Sequence, residues 1–279
     1  MVAEAANAQV PVGSPYDLRL SMGEKVGESD MRSAVESGDW GFMHSFTTGS
    51  AVDGPGVRVV GWLTGCQFKC VFCHNPDTWK MLNGMPVAAS RAIDVVKQYR
   101  IGLNTMHGGL TISGGEPLLQ HRFVINVFKG VRAAGIHATL ETNGNLGARL
   151  TDEDLDSLDL VMLGLKAFTP DLHKRLTGVD NAPVHEFARR LARRKKPVWI
   201  RYVVVPGWTD TVDEASKMAE FVASLGNVER VDVLPFHQMG KFKWEKLGME
   251  YPMRDAQTPS RETMEKIIKS FRSKGLKAV

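Results

Sequence analysis

The chain has 279 residues, 43% of them hydrophobic and 24% charged, an ordinary globular composition long enough for one large domain or two small ones. Mean hydropathy is −0.17, and no uninterrupted apolar run reaches the roughly 18 residues of a bilayer span, which excludes a transmembrane helix. The net charge of +4, from 35 basic and 31 acidic residues, is mild and spread out; its one short run, Arg193, Arg194, Lys195 and Lys196, suits a solvated helix end better than a nucleic-acid surface.

In chain order, residues 1–40 are poor in aromatic and β-branched residues and lack sustained periodicity, so they are expected to form a disordered N-terminal extension. They carry seven acids (Glu4, Asp17, Glu24, Glu28, Asp30, Glu36 and Asp39) and no apolar h-region, which argues against a targeting peptide. From residue 41 to 279 strand-like and helix-like segments alternate. Strands are predicted over 57–64, 109–113, 137–142, 160–165, 198–205 and 231–235. Helices are predicted over 88–99, 118–134, 152–158, 183–194, 213–225 and 261–274. Thr151 and Thr211 stand where N-caps belong, and Gly135 and Gly226 where helices should stop. Six β–α repeats in a row imply a parallel sheet with helices outside it, and runs such as VWIRYVVV look too apolar to have a wet face. Periodicity alone leaves open whether that sheet is a partial barrel or doubly wound.

The segments just after the strands carry the chemistry. The first predicted strand leads into GCQFKCVFCHN, the second into SGGEP, the third into ETNG. The fourth leads to Lys166, the fifth to VPGW and the sixth to Phe236 and His237. Loops at the carboxyl ends of parallel strands share one face, so these segments converge on one cleft.

All three cysteines fall within eight residues, as Cys66-x3-Cys70-x2-Cys73. An odd number in one turn-sized window cannot form a disulfide framework and points to a metal or redox site in a reducing, cytoplasmic compartment. Three thiolates on a short loop can hold three irons of a [4Fe–4S] cube and leave the fourth iron open for a substrate. The alternative is a structural zinc ion held by the three thiolates and His74, although zinc loops usually draw their ligands as two separated pairs.

The cysteine spacing with Phe72 before the last thiol resembles the signature of the radical S-adenosylmethionine (SAM) superfamily. Together with DGPGVR (Asp53–Arg58), CHNPDTW, SGGEPLLQ, WIRYVVVPGW and LPFHQMGKFKW, it is similar to the family of pyruvate formate-lyase activating enzymes, from about Gly41 to the C-terminus. That resemblance implies a parallel-sheet partial (β/α)6 TIM-like barrel. It implies an oxidoreductase whose [4Fe–4S] cluster, on Cys66, Cys70 and Cys73, cleaves SAM reductively to methionine and a 5′-deoxyadenosyl radical. That radical abstracts a glycine Cα hydrogen on the partner, pyruvate formate-lyase, leaving a stored glycyl radical. Flavodoxin or ferredoxin is the implied electron donor.

By the same resemblance Gly114, Gly115 and Glu116 meet the amino-acid end of SAM, and Lys166 pairs with its carboxylate. Phe72 and His74 line the adenine pocket and His237 touches the nucleoside, while Trp208 stands beside the cleft. Asp53 and Arg58 are implied to lie near the partner's glycine loop. Two departures stand out. Where the family pattern has Asp in its DTNG and LDLK segments, helping to hold a monovalent cation beside SAM, this chain has Glu141 and Gly164. Thr142 and the Met162 carbonyl remain as cation contacts, and the cation site is in doubt. The competing readings are a radical SAM enzyme acting on another glycyl radical enzyme or on a small molecule such as a deazaguanine precursor, and a zinc-stabilised binding module.

Overall fold

The computed structural model describes Ser33 and residues 35–279, so most of the expected extension over 1–40 lies outside the described residues. Within it, the folded body starts before residue 41: the Arg122 guanidinium donates to the Glu36 carbonyl, and Gly38 lies against the backbone of Arg122 and Phe123.

Eight strands form one sheet in the order β3-β1-β2-β4-β5-β6-β7-β8. The six predicted strands are β2 (Arg58–Leu63), β4 (Gly109–Gly114), β5 (His137–Thr142), β6 (Leu160–Gly164), β7 (Val198–Val204) and β8 (Val228–Pro235), all parallel to one another. Two further strands extend the β2 side. β1 (Trp40–Ser50) runs antiparallel to β2 and to the short β3 (Met85–Ala88). The sheet is open, since β3 and β8 do not meet, and the architecture is a partial (β/α)6 barrel. β1 escapes the sequence pattern because two register shifts, at Met43/Ser45 and Thr48/Ser50, break its period of two.

The predicted helices are α1 (Ala89–Gln98), α3 (His121–Ala133), α4 (Asp152–Asp156), α6 (Ala182–Arg193), α7 (Val212–Leu225) and α9 (Arg261–Arg272). Three short ones lie outside the predicted set: α2 (Arg100–Thr105), α5 (Pro170–Thr177) and α8 (Lys241–Lys246). Thr151 accepts from Asp154 N at 3.1 Å while Asp154 accepts from Thr151 N at 2.9 Å, a reciprocal cap that starts α4. Gly226 ends α7 at φ +72°, a left-handed turn that side chains resist. Among the described residues no helix is long and apolar enough to cross a membrane.

The strands have two unlike faces. Leu110 and Ile112 of β4 face Ala92 and Val96 of α1 and Phe123 and Val127 of α3, an apolar contact that stabilises by burial. The alternate residues of β4 and β5 point inward and are polar: Thr111 and Thr139 share the Arg58 guanidinium, and Ser113 and Arg201 both donate to Glu141. The expectation of strands without a polar face is therefore corrected. In VWIRYVVV the single Arg201 marks the inner face, and an open barrel leaves that face available to a ligand.

Candidate functional site

The three cysteines lie on the loop that follows β2, and backbone bonds fix that loop from four sides. Gly65 N donates to Thr78 O at 2.7 Å and Cys66 N to Trp79 O at 3.2 Å. Lys69 N and Val71 N donate at 2.8 and 3.0 Å to Thr177 O and Leu176 O, the last carbonyls of α5. Cys73 N returns to Cys70 O at 3.0 Å, and the Trp244 indole of α8 donates to Cys73 O at 2.8 Å. Phe68 is buried beneath the loop, edge-on to His173 at 5.6 Å. The loop is thus held in shape by segments that follow β2, β6 and β8.

All three thiols are free. Burial pushes each of them up, Cys70 to about 12, and the nearby Glu116 carboxylate adds to the rise at Cys66. Opposing this are N–H donors aimed at sulfur, from Phe68 N to Cys66 and from Asn75 N and the Trp79 indole to Cys73, with the Lys166 charge near Cys70. Thiols that are buried but already surrounded by donors suit a cluster: iron displaces the protons, and the N–H groups then stabilise the sulfur charge. The zinc alternative needs His74, whose Nε2 instead donates to His237 O at 3.1 Å while its ring lies 4.1 Å from that of His237. Burial, then the neighbouring His237, holds His74 down at about 4.

The SGGEP turn closes against the cysteine loop. Gly115 N donates to Leu63 O at 2.9 Å and Glu116 N to Gly65 O at 2.7 Å. A Cβ on Gly115 would run into Gly65 O and stand 3.2 Å from Cys66 Cβ, so this glycine is required by close approach to the loop. The Glu116 side chain is turned into the protein. It is fully buried and accepts from Leu118 N at 2.9 Å, Thr142 Oγ1 at 2.7 Å and Asn143 N at 2.8 Å. Its carboxylate ties the SGGEP turn to ETNG. Gln67, which no sequence motif singles out, adds a second tie by donating to Asn143 at 3.2 Å.

Below these turns lies a charged chain. Arg201 Nη1 donates to Glu141 at 2.7 Å and to Asp53 at 3.4 Å, while Ser113 donates to Glu141 and Ser50 to Asp53 at 2.7 and 2.6 Å. Burial would raise the Glu141 carboxyl, but Arg201 and Ser113 outweigh it and hold it below the usual carboxylate range. Arg201 is not among the residues expected from the sequence, although a lone charge inside an apolar strand is the signal that finds it. Lys166 Nζ lies 5.8 Å from the Phe72 ring, beside Gly164. Trp208 stacks under Arg175 at 5.6 Å, beside α5.

Arg58 is not at the cleft mouth. It is fully buried at the amino end of β2, donating to Leu110 O at 2.6 Å, Thr111 Oγ1 at 3.0 Å, Thr139 Oγ1 at 2.9 Å and Pro55 O at 3.3 Å. Burial lowers its guanidinium to about 10. It anchors the loop before β2 from inside. Asp53 is also largely buried, but its carboxylate turns toward Arg201.

Comparison with known proteins gives the site its context. A family model described as "Radical SAM superfamily" matches residues 62–222. The chain is 43% identical over 229 residues to the pyruvate formate-lyase 1-activating enzyme of Escherichia coli K12, covering 81% of this chain and 93% of that one. It is 41% identical over 230 residues to the pyruvate formate-lyase-activating enzyme of Listeria monocytogenes, covering 80% and 93%. Among solved structures, a domain of pyruvate-formate lyase-activating enzyme from Bacteroides vulgatus superimposes with a TM-score of 0.51 at 29% identity, covering 62% of this chain and 98% of that one.

Proposed function

The chain belongs to the radical SAM superfamily and, within it, to the family of pyruvate formate-lyase activating enzymes, and on that premise we propose that it installs a glycyl radical on pyruvate formate-lyase. In this reading Cys66, Cys70 and Cys73 hold a [4Fe–4S] cluster with one open iron, residues 41–279 form the catalytic domain, and flavodoxin or ferredoxin donates the electron. The chemistry that the bound cluster and SAM supply is one-electron cleavage of the sulfonium to methionine and a 5′-deoxyadenosyl radical, which takes a hydrogen atom from a glycine Cα.

The residues of this chain position and shield. Gly114 and Gly115 leave the backbone of the SGGEP turn open to the SAM amino-acid end, within reach of the cysteine loop. Lys166 offers its ammonium to the SAM carboxylate as a point charge. Phe72, His74 and His237 form an aromatic wall suited to a purine and keep water from it. Thr142 and Asn143, held by Glu116, fix the neighbouring turn. Asp53, held by Arg201 and Ser50, sets a carboxylate in the cleft floor for the incoming glycine loop, and the placement of that loop decides which C–H bond is met.

The single observation that carries this reading is the convergence of the donor-lined cysteine loop with the glycine turn at the carboxyl ends of parallel strands. The test is anaerobic electron paramagnetic resonance on reconstituted, reduced protein with SAM and pyruvate formate-lyase. A glycine-centred doublet requiring every component is expected. Release of 5′-deoxyadenosine without a doublet would refute the partner, and a protein that binds one zinc ion and no iron would refute the chemistry.

A further inference from the structure

The end of β6 is where this chain departs from the family pattern, and the geometry there points to a specific consequence. A Cβ placed on Gly164 would stand 3.1 Å from Lys166 Nζ, 3.5 Å from its Cε and 3.6 Å from Thr142 O. The Lys166 ammonium therefore folds back over Gly164, into the space that a side chain at 164 would take. Among the described residues it makes no ion pair, and the Phe72 ring lies 5.8 Å from it.

The oxygen atoms nearby are already engaged. Both Glu141 carboxylate oxygens are bonded, one to Arg201 Nη1 and one to Ser113 Oγ, each at 2.7 Å. The Thr142 hydroxyl donates to Glu116 at 2.7 Å and accepts from Gly144 N at 3.0 Å. Around the position a Cβ at 164 would take stand the Thr142 carbonyl and the bare Lys166 ammonium. A hard monovalent cation needs several oxygen ligands and a surplus of negative charge; here an ammonium takes the space and the nearest carboxylate, Glu141, is held by Arg201.

We propose that this chain binds SAM without a monovalent cation, the unpaired Lys166 ammonium over Gly164 supplying the positive charge directly. The inference rests on the SAM-binding reading above and deepens it: Gly164 is the specificity-determining position that chooses ammonium over metal ion. The loss of one carboxylate at 164 and the diversion of the other, Glu141, to Arg201 act together. Either alone would leave a carboxylate turned to this corner to attract a cation; with both, position 164 offers none and the carboxylate at 141 is turned to Arg201 and Ser113.

The test measures SAM affinity of the anaerobically reconstituted holoenzyme by equilibrium dialysis, with sodium, potassium or tetramethylammonium as the only monovalent cation at one ionic strength. Tetramethylammonium is too large for such a site, so equal ionic strength isolates specific binding from screening. Affinities are expected to agree within about twofold across the three salts, since screening is matched. Gly164→Asp is expected to create a dependence, with affinity in tetramethylammonium at least tenfold below that in sodium or potassium; iron content and circular dichroism show whether the variant has folded. A tenfold preference of the unaltered chain for sodium or potassium would overturn the proposal. So would a folded, cluster-bearing Gly164→Asp protein that is indifferent to the salt, and so would a Gly164→Ala protein with the same salt dependence as Gly164→Asp. Failure of the loaded protein to bind SAM in any salt would overturn the functional reading itself, a result distinct from binding that depends on the cation.

Discussion

Replacing Glu116 separates a structural tie from a ligand contact. The carboxylate accepts three bonds, at 2.9 Å from Leu118 N, 2.7 Å from Thr142 Oγ1 and 2.8 Å from Asn143 N. Glu116→Ala leaves the two backbone N–H groups buried and unpaired at about 1–3 kcal/mol each, and opens a small void. Relief from burying a carboxylate, which raises its pKa, offsets part of that. The net loss is about 3–5 kcal/mol, or roughly 6–15 °C in melting temperature for a domain of this size. Glu116→Gln keeps the Oε1 bonds but turns an NH2 toward Asn143 N–H; the loss is about 1–2 kcal/mol.

The assay is calorimetry on the iron-free protein without SAM, because a tie acts whether or not a ligand is bound. A residue that served SAM alone would leave this melting temperature unchanged. If both variants melt within about 1 °C of the parent, less than half a kcal/mol, the tie carries no energy and Glu116 returns to the ligand. Iron uptake should fall in the same order as stability, since the SGGEP turn braces Gly65 and Cys66 through Glu116 N.

Three further outcomes come from the same geometry. Trp244→Phe keeps the edge-on contact with Trp79, 5.1 Å between rings, but loses the donor to Cys73 O. It should release iron to a chelator about fivefold faster, the equivalent of about 1 kcal/mol, and an unchanged rate would show that α8 does not brace the loop. Arg58→Ala should cost about 3 kcal/mol or more in denaturant unfolding, because it strips donors from buried acceptors; near-normal stability with weakened partner affinity would return Arg58 to the surface. His185, stacked 4.4 Å from Phe221 and 5.5 Å from Phe168 with Nε2 unpartnered, is held at about 4 by burial and then by Arg189. Its folded value lies below its unfolded one, so its contribution is complete above about pH 6.5 and lost as pH falls toward 4, about 3 kcal/mol in all. Urea unfolding at pH 7 and 5 should therefore show a smaller loss for His185→Phe than for the parent, and equal losses would remove His185 from the account.

The parallel strands and their helices were legible because each keeps one period. Val, Ile and Leu alternate or run together in the strands, and capped ends such as Thr151 and Gly226 mark the helices. What escaped lacks a period. β1 is bulged twice, β3 has four residues and a proline, and α8 (KFKWEK) buries a single side chain, Trp244. The cysteine loop and the glycine turn were legible as motifs because their chemistry demands particular residues. The ties behind them were not: nothing in the sequence says that the carboxylate of SGGEP turns inward to ETNG, 26 residues on.

Strand direction explains where Arg58 and Asp53 stand. In a parallel sheet, loops after strands meet at one end and loops before strands at the other, so a residue opening β2 belongs at the end away from the cleft. Arg58 obeys that rule and is spent on Pro55 O, Leu110 O and two threonines. Asp53 precedes β2 as well, yet its carboxylate reaches Arg201. Two bonds make this possible: Thr111 Oγ1 donates to Asp53 O at 2.6 Å, and Arg58 Nε donates to that same hydroxyl at 3.0 Å. The buried arginine thus aims the aspartate. The DGPGVR segment acts as one unit, its Arg inside the barrel holding its Asp up into the floor of the cleft. From there Arg201 carries the connection on to Glu141, the residue whose diversion leaves Lys166 alone beside Gly164.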